Sequence, residues 1–276
     1  MRDHHSEPRH APYPAPADLE GLAANAARRA AGVIVEAHGR PQIVGQKSSP
    51  TDVVTETDLR AESVIRRLLA EATPEAGVLG EESATTGPGE RLQWIIDPLD
   101  GTVNFTYGIP VFAVSIAAAF DGEVVAGAVI DVARDELFSA HLGGGARRDG
   151  TSISVSGCTS LPSALVATGF SYQAPERGLQ GRVAARIVAR ARDLRCFGSA
   201  ALELCWVACS RVDAYFQRQT EIWDRAAGAL IAAEAGAKIE LPCPENRDLV
   251  VAATPDVFDE LWNVVQLAAY APSETT

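Results

Sequence analysis

The sequence predicts an α+β fold in which helices are layered on β-sheets. Apolar residues recur at three- and four-residue spacing near the N-terminus, which is typical of an amphipathic helix. The middle of the chain instead has short apolar runs separated by turn residues, which are typical of strands. In the second half, strand-like and helix-like segments alternate, and this pattern favours helices that cover a sheet.

Length and composition indicate a folded protein with a sizeable core. The chain has 276 residues, 47% hydrophobic and 22% charged, which allows one large domain or two tightly joined halves. Residues 1–16 are rich in Pro, His and charge without apolar periodicity, so we expect a disordered N-terminal extension. Residues 17–150 and 151–270 are expected to form two halves of one compact unit.

Charge and cysteine usage narrow the range of partners. The formal net charge of −12 disfavours nucleic acid as a partner and favours cations, and carboxylate oxygens suit Mg²⁺ better than zinc. Five cysteines without CxxC spacing argue against a disulfide framework. Because there is neither a signal peptide nor an apolar run of about 18 residues, we expect a cytoplasmic protein without a membrane partner.

The first half is predicted to begin with two helices, followed by strands. Residues 17–37 and 58–70 both carry apolar residues at helical spacing. Between them, residues 45–52 are polar and contain a proline, which predicts a loop or hairpin, and Val53 and Val54 are expected to begin the second helix. Apolar runs predict strands over 77–79, 94–96, 112–120, 124–130 and 136–140.

The second half is predicted to alternate strands with helices. The predicted strands cover 164–168, 194–197 and 214–217, and the predicted helices cover 180–191, 200–210 and 224–235. Helices connecting strands in this way are expected to pack on the sheet that the strands form.

Acidic residues stand where predicted elements begin or end. They are Asp58, the pair Glu81 and Glu82, Asp97 with Asp100, and Asp224. Carboxylates that follow apolar strands are costly to bury without counter-charges, and few basic residues stand nearby in the sequence. The pattern therefore predicts a site for divalent cations.

The segment 97–102, which reads Asp-Pro-Leu-Asp-Gly-Thr, is the most informative part of the chain. Pro98 stiffens the turn, so the two aspartates can converge and the Leu99 carbonyl can become a third oxygen ligand. Gly101 leaves room for a phosphate, and the backbone amides of Gly101 and Thr102 can donate to its oxygens. We therefore predict that one loop holds both metal and phosphate.

Four ordered motifs resemble the inositol monophosphatase family. The segment 97–105 (DPLDGTVNF) matches its first signature, and 223–228 (WDRAAG) with 235–236 matches its second. The segment 47–58 resembles the family's mobile metal loop and the aspartate that follows it, and 80–83 resembles its paired glutamates. This resemblance covers about residues 17–265 and implies a layered α/β/α/β/α sandwich of the sugar phosphatase type.

The resemblance also implies roles for individual residues. Glu81, Asp97 and the Leu99 carbonyl would bind a first Mg²⁺, Asp97, Asp100 and Asp224 a second, and a third, weaker ion would lie near Glu81. Asp58, Thr102 and Glu81 would be the catalytic residues, with Lys47 and Glu82 in support. The substrate would contact Asp100, Gly101, Thr102, Gly198, Ser199, Ala200, Gln217 and Asp224. Sensitivity to lithium and a homodimer are implied as well.

The resemblance favours hydrolysis of myo-inositol monophosphate, with alternatives left open. Gln217 departs from the acid that such enzymes usually carry, so histidinol phosphate, fructose bisphosphate and adenosine bisphosphate remain alternative substrates. A non-enzymatic partner of a transcription complex is the alternative from another class. Thr102 and Asp224 could also act as helix caps, and residues 198–200 could simply begin a helix.

Overall fold

The computed structural model describes residues 13–37, 41–47, 49, 52–89, 91–243 and 248–270. Residues 1–12 of the expected disordered extension therefore lie outside the described residues. Tyr13 is described, and its ring packs edge-on against Phe120 at 5.1 Å between centroids. None of the helices in the described ranges combines the length and hydrophobicity needed to span a lipid bilayer.

The described residues contain seven α-helices and fourteen strands. The helices are α1 Pro16–Ala37, α2 Glu56–Ala72, α3 Thr102–Tyr107, α4 Ala174–Val188, α5 Ala200–Ala208, α6 Ile222–Glu234 and α7 Pro255–Tyr270. The strands are β1 Ile43–Gln46, β2 Val53–Thr55, β3 Gly77–Gly80, β4 Leu92–Asp100, β5 Ala113–Phe120, β6 Glu123–Asp131, β7 Glu136–His141, β8 Ala146–Arg148, β9 Thr151–Ser152, β10 Leu165–Thr168, β11 Asp193–Arg195, β12 Ala214–Arg218, β13 Lys238–Glu240 and β14 Leu249–Ala253.

Two large sheets organise the chain. A seven-stranded sheet has the order β3-β4-β5-β6-β7-β8-β9, and a five-stranded sheet has the order β11-β10-β12-β14-β13. The first is antiparallel except for the β3–β4 pair, whereas the second is mixed. Strands β1 and β2 form a separate antiparallel ribbon.

Three apolar clusters show that the sheets and helices form five layers. One cluster joins α1 and α2 to the seven-stranded sheet, the second places α5 and α6 between the two sheets, and the third joins α4 and α7 to the five-stranded sheet. Because side chains alternate along a strand, Trp94 and Ile96 enter the first cluster while Ile95 enters the second. The layered α/β/α/β/α prediction is confirmed.

Some local predictions need correction. Val53 and Val54 lie in β2 rather than at the start of a helix, because they pair with β1, and α2 begins at Glu56. The helix predicted from residue 180 begins at Ala174, with a proline in its first turn, where proline is tolerated. Strand β4 continues to Asp100, beyond the predicted end at residue 96.

Close packing of α5 on α6 requires a glycine at position 228. A Cβ there would lie 2.8 Å from the Leu204 Cβ and 3.1 Å from the Ala201 carbonyl oxygen, so the two helices would have to separate. At Gly178 in α4, by contrast, a Cβ would meet no atom within 4 Å.

We predict that Gly228→Ala lowers the free energy of unfolding by about 1–2 kcal/mol, because overpacking exceeds the gain in helix propensity. The matched variant Gly178→Ala should raise it by about 0.5–1 kcal/mol. Urea denaturation of both variants measures the difference. Equal stabilisation of the two would contradict the close packing of these helices.

Candidate active site

Strand β4 ends with the acidic residues Asp97 and Asp100. Its register against β5 shifts between Asp97, which pairs with Ser115, and Asp100, which pairs with Ala113. Such a bulge re-aims side chains at the end of a strand. Asp97 is 1% exposed and Asp100 9% exposed, so both carboxyls are buried.

Glycine is required at position 101, where the chain leaves β4 for α3. Gly101 has φ +96°, and a Cβ would lie 2.9 Å from the Val111 carbonyl oxygen and 3.2 Å from the Gly198 carbonyl oxygen. A side chain would therefore be strained and would also push the backbone of the second half away.

A cavity of about 910 Å³ opens beside this loop. It is lined by most of the residues that the sequence predicted, namely Lys47, Glu81, Asp97, Leu99, Asp100, Gly101, Thr102, Gly198, Ser199, Ala200, Gln217 and Asp224. Asp58 and Glu82 do not line it. Asp58 lies behind Thr102, and Glu82 lies behind Lys47, so both are one contact away from the cavity.

Asp58 is held in a fully buried hydrogen-bond network. In the first turn of α2 it forms a capping box with Thr55, whose backbone N–H donates to Asp58 Oδ2 at 2.9 Å. Thr102 Oγ1 lies 3.1 Å from Asp58 Oδ1 and 3.0 Å from the Leu99 carbonyl oxygen, so its single proton can donate to one of them at a time. Burial raises the pKa of Asp58 despite these bonds.

The remaining acids repel one another inside the cavity. Burial raises the pKa of Asp97 well above its usual range, and the charges of Glu81, Asp100 and Asp224 raise it further. The pKa of Asp224 is raised in the same way, by burial and then by the charges of Asp100 and Glu81. The four carboxyls are therefore close enough to destabilise one another as anions.

Lys47 balances only part of this charge. Its Nζ donates to Glu81 Oε1 at 2.6 Å and to Glu82 Oε1 at 2.5 Å. Burial lowers the pKa of Lys47, but the two glutamates more than offset this effect, so the net pKa is raised. No salt bridge among the described residues pairs Asp97, Asp100 or Asp224 with a basic side chain, whereas Lys47 is held by Glu81 and Glu82.

The donor chemistry fits Mg²⁺. The carboxyls of Glu81, Asp97, Asp100 and Asp224 line the cavity together with Leu99, whose carbonyl is also a hard oxygen ligand. The excess of negative charge calls for cations. As placed in the described residues, no three Asp, Glu, His or Cys side chains form a ready-made metal cluster. Mg²⁺ is usually held by one or two carboxylates together with water molecules, so such a cluster is not a requirement for binding it.

The second half supplies Asp224 and a backbone segment before α5. Asp224 is the third residue of α6, and its Oδ2 accepts the Glu221 N–H at 2.9 Å, so the N-cap is Glu221 and the expectation of a cap at Asp224 is wrong by three residues. The Ser115 hydroxyl donates to the Trp223 carbonyl at 3.2 Å, which ties this end of α6 to the strand opposite Asp97. Ser199 is the N-cap of α5, as the helix-start interpretation predicted.

Asp100 connects the two halves directly. Its Oδ2 accepts the Ser199 hydroxyl at 2.6 Å and the Ala201 backbone N–H at 2.8 Å. Burial raises the pKa of Asp100 to about 6 although these bonds favour the anion.

Several residues at the site were not found from the sequence. Asn104 Nδ2 donates to the carbonyls of Val111 and Phe197, and Glu203 is a buried carboxylate in the middle of an apolar helix. A lone acid within the apolar run of α5 is the signal that could have identified Glu203.

Gln217 was predicted, but its Oε1 is already bonded to the Tyr215 hydroxyl at 2.9 Å.

Several carboxylates beside a glycine-containing turn at one cavity are features of a metal-assisted site for phosphate. A family model described as the inositol monophosphatase family matches residues 17–265, and the chain belongs to that family. It is 44% identical over 265 residues to the inositol-1-monophosphatase SuhB of Mycobacterium tuberculosis, covering 90% of this chain and 91% of that protein.

Two further relatives show the breadth of names in this family. The chain is 37% identical over 255 residues to the Nus factor SuhB of Pasteurella multocida, covering 89% of this chain and 94% of that protein. It matches the crystal structure of the extragenic suppressor protein suhB from Bartonella henselae with a TM-score of 0.85 and 32% identity, covering 90% and 98% of the two chains.

The raised pKa values predict how stability depends on pH when metal is absent. Burial raises the pKa of Asp100 from 3.8 to about 6 and that of Glu82 from 4.5 to about 7, so the folded state binds these protons more tightly than the unfolded state. Their contribution to stability is complete below about pH 4 and is lost as the pH rises through 6 and 7.

We therefore expect the free energy of unfolding in a chelator to fall from pH 5 to pH 8, with a weaker fall in Asp100→Asn. Asp121, whose pKa is lowered by Arg91, gives the control Asp121→Asn, which should keep the wild-type slope. Urea denaturation across this range provides the measurement. A free energy of unfolding that rises with pH in the wild type and in Asp100→Asn would refute the expectation.

Proposed function

We propose that the protein is a Mg²⁺-dependent phosphatase that hydrolyses a small phosphate monoester, with myo-inositol monophosphate as the leading substrate. The observation that supports this most is the convergence of buried, mutually repelling carboxyls on one cavity beside the Gly101 backbone. Cations and a phosphate group together satisfy this environment, because the cations offset the carboxylates and attract the phosphate.

The candidate metal ligands are Glu81, Asp97, the Leu99 carbonyl, Asp100 and Asp224, which would hold two ions, with a third near Glu81. When bound, Mg²⁺ would acidify a water molecule and neutralise charge on the phosphoryl group. The backbone amides of Gly101 and Thr102 would orient the phosphate oxygens. Their position beside the carboxyls would align the ester for in-line attack.

Thr102 and Asp58 would help to deprotonate the attacking water. The Thr102 hydroxyl can accept a hydrogen bond from that water while it donates its own proton to Asp58 Oδ1. The Thr55 N–H, which donates to Asp58 Oδ2, holds the Asp58 carboxyl in place. Lys47 would hold Glu81 and Glu82 in place beside the site.

The substrate's leaving group is expected to contact the second half. Gly198, Ser199, Ala200 and Gln217 all line the cavity. The Gln217 carbonyl is engaged by Tyr215, so this side chain offers hydroxyl groups a weaker acceptor than a carboxylate would. Histidinol phosphate, fructose bisphosphate and adenosine bisphosphate are therefore the alternative substrates.

A role in a transcription complex is the second candidate function. It is supported by the name of the Pasteurella multocida relative, a Nus factor. The retained acids favour an enzyme, since a binding partner would gain nothing from gathering Asp97, Asp100 and Asp224 around one cavity. A cytoplasmic location, a homodimer and inhibition by lithium remain predictions.

Initial rates of phosphate release from several monoesters, with and without Mg²⁺, test the proposal. We expect Asp97→Asn to lower the Mg²⁺-dependent rate by about a hundredfold or more, because a ligand carboxylate is lost without a change in size. The control Asp121→Asn alters an exposed acid and should remain within about twofold of wild type. An active wild type whose rate survives Asp97→Asn would refute the site assignment.

Gln217→Glu tests the recognition of the leaving group. A carboxylate accepts hydrogen bonds from hydroxyls more strongly, so kcat/KM for myo-inositol monophosphate should rise about tenfold. Gln219→Glu places the same charge in the same cavity and is the matched control, with no such gain expected. Both variants are compared on p-nitrophenyl phosphate, whose leaving group has no ring hydroxyls. An unchanged or lower value for Gln217→Glu would exclude Gln217 as the specificity position.

A further inference from the structure

Glu203 is a buried carboxylate beside the cavity to which the proposed chemistry gives no role. It lies in the first turn of α5, is 1% exposed and lines the cavity. Its Oε2 has no hydrogen-bond partner among the described residues. An apolar residue of similar size would avoid the cost of burying a charge, so packing alone does not explain a glutamate here.

The other oxygen of Glu203 holds the backbone segment before α5. Glu203 Oε1 accepts the N–H of Phe197 at 2.7 Å and the N–H of Gly198 at 3.2 Å. On the opposite side, Asn104 Nδ2 donates to the Phe197 carbonyl at 2.7 Å. Gly198 has φ +82°, a backbone conformation that glycine adopts without strain. The segment 197–198 is therefore clamped from both sides.

The residues that follow this clamped segment in the chain are hydrogen-bonded to Asp100. Just after it, the Ser199 hydroxyl and the Ala201 N–H donate to Asp100 Oδ2 at 2.6 and 2.8 Å. The Gly198 carbonyl also packs against Gly101, where a Cβ would come within 3.2 Å of it. A shift of the segment would therefore move both Asp100 and the backbone expected to bind phosphate.

We propose that Glu203 is a positioning residue that fixes Asp100 through the segment 197–199. It acts through the backbone, because its side chain is 1% exposed and its Oε1 is bonded to the N–H groups of Phe197 and Gly198. This proposal rests on the proposed phosphatase activity, since Asp100 is the group that it aligns. Loss of the clamp should impair alignment more than substrate binding.

The test compares Glu203→Met with Glu203→Gln in the full chain, assayed with Mg²⁺ and a phosphate monoester. Methionine has no comparable acceptor, so the amides of Phe197 and Gly198 should exchange hydrogen faster, and kcat should fall about tenfold with KM within about twofold. Glutamine keeps a carbonyl acceptor for both amides. It should restore slow exchange and bring kcat to within about threefold of wild type.

Glu234→Met is the matched control. Glu234 in α6 also accepts two backbone N–H groups, those of Gly143 and Gly145, both at 2.8 Å, but it lies outside the cavity. Its loss should speed exchange at those glycines and leave kcat unchanged. The comparison separates the effect of losing any two-amide clamp from the effect of losing this one.

Three results would overturn the proposal. They are wild-type kcat in Glu203→Met despite fast exchange at residues 197–198, unchanged exchange in that variant, and equal losses in Glu203→Met and Glu203→Gln. A wild-type protein that releases no phosphate would refute the proposed function and this role together. That result would be seen with the wild type, before any variant is compared. An active wild type together with an unchanged kcat in Glu203→Met would instead refute the positioning role alone.

Discussion

The site depends on the repulsion between carboxyls that the fold buries together. Burial and the charges of Glu81, Asp100 and Asp224 raise the pKa of Asp97, and burial and the charges of Asp100 and Glu81 raise that of Asp224. The ammonium of Lys47 is bonded to Glu81 and Glu82 instead. Such an arrangement is unfavourable unless protons or cations join it. The need for a counter-charge therefore explains both the expected metal dependence and the expected affinity for a phosphate, which binds where cations are concentrated.

The five layers bring these groups to one place. Asp97 and Asp100 lie at the end of β4 in the seven-stranded sheet, and Asp224 lies in the first turn of α6 in the central layer. Asp100 accepts hydrogen bonds from Ser199 and Ala201, so a buried carboxylate joins the end of β4 in the seven-stranded sheet to the start of α5 in the central layer. Small residues such as Gly228 let α5 and α6 approach closely enough for this alignment.

Sequence reasoning found the acids but missed much of their support. Asp97 and Asp100 could be predicted because they follow an apolar strand, whereas the bulge that continues β4 through Pro98 depends on pairing with β5. Val53 was assigned to a helix because a short apolar run does not distinguish helix from strand, and the ribbon with β1 decided it. Glu203 escaped notice because its partners, the amides before α5, are set by tertiary structure.

A crystal grown with phosphate and soaked in Mn²⁺, which replaces Mg²⁺ and scatters anomalously, tests the central claim most directly. The account predicts anomalous peaks between Glu81, Asp97, Asp100 and Asp224, with their side chains turned inward and phosphate beside Gly101. Phosphate bound elsewhere, or these carboxyls pointing apart with no peak between them, would contradict it.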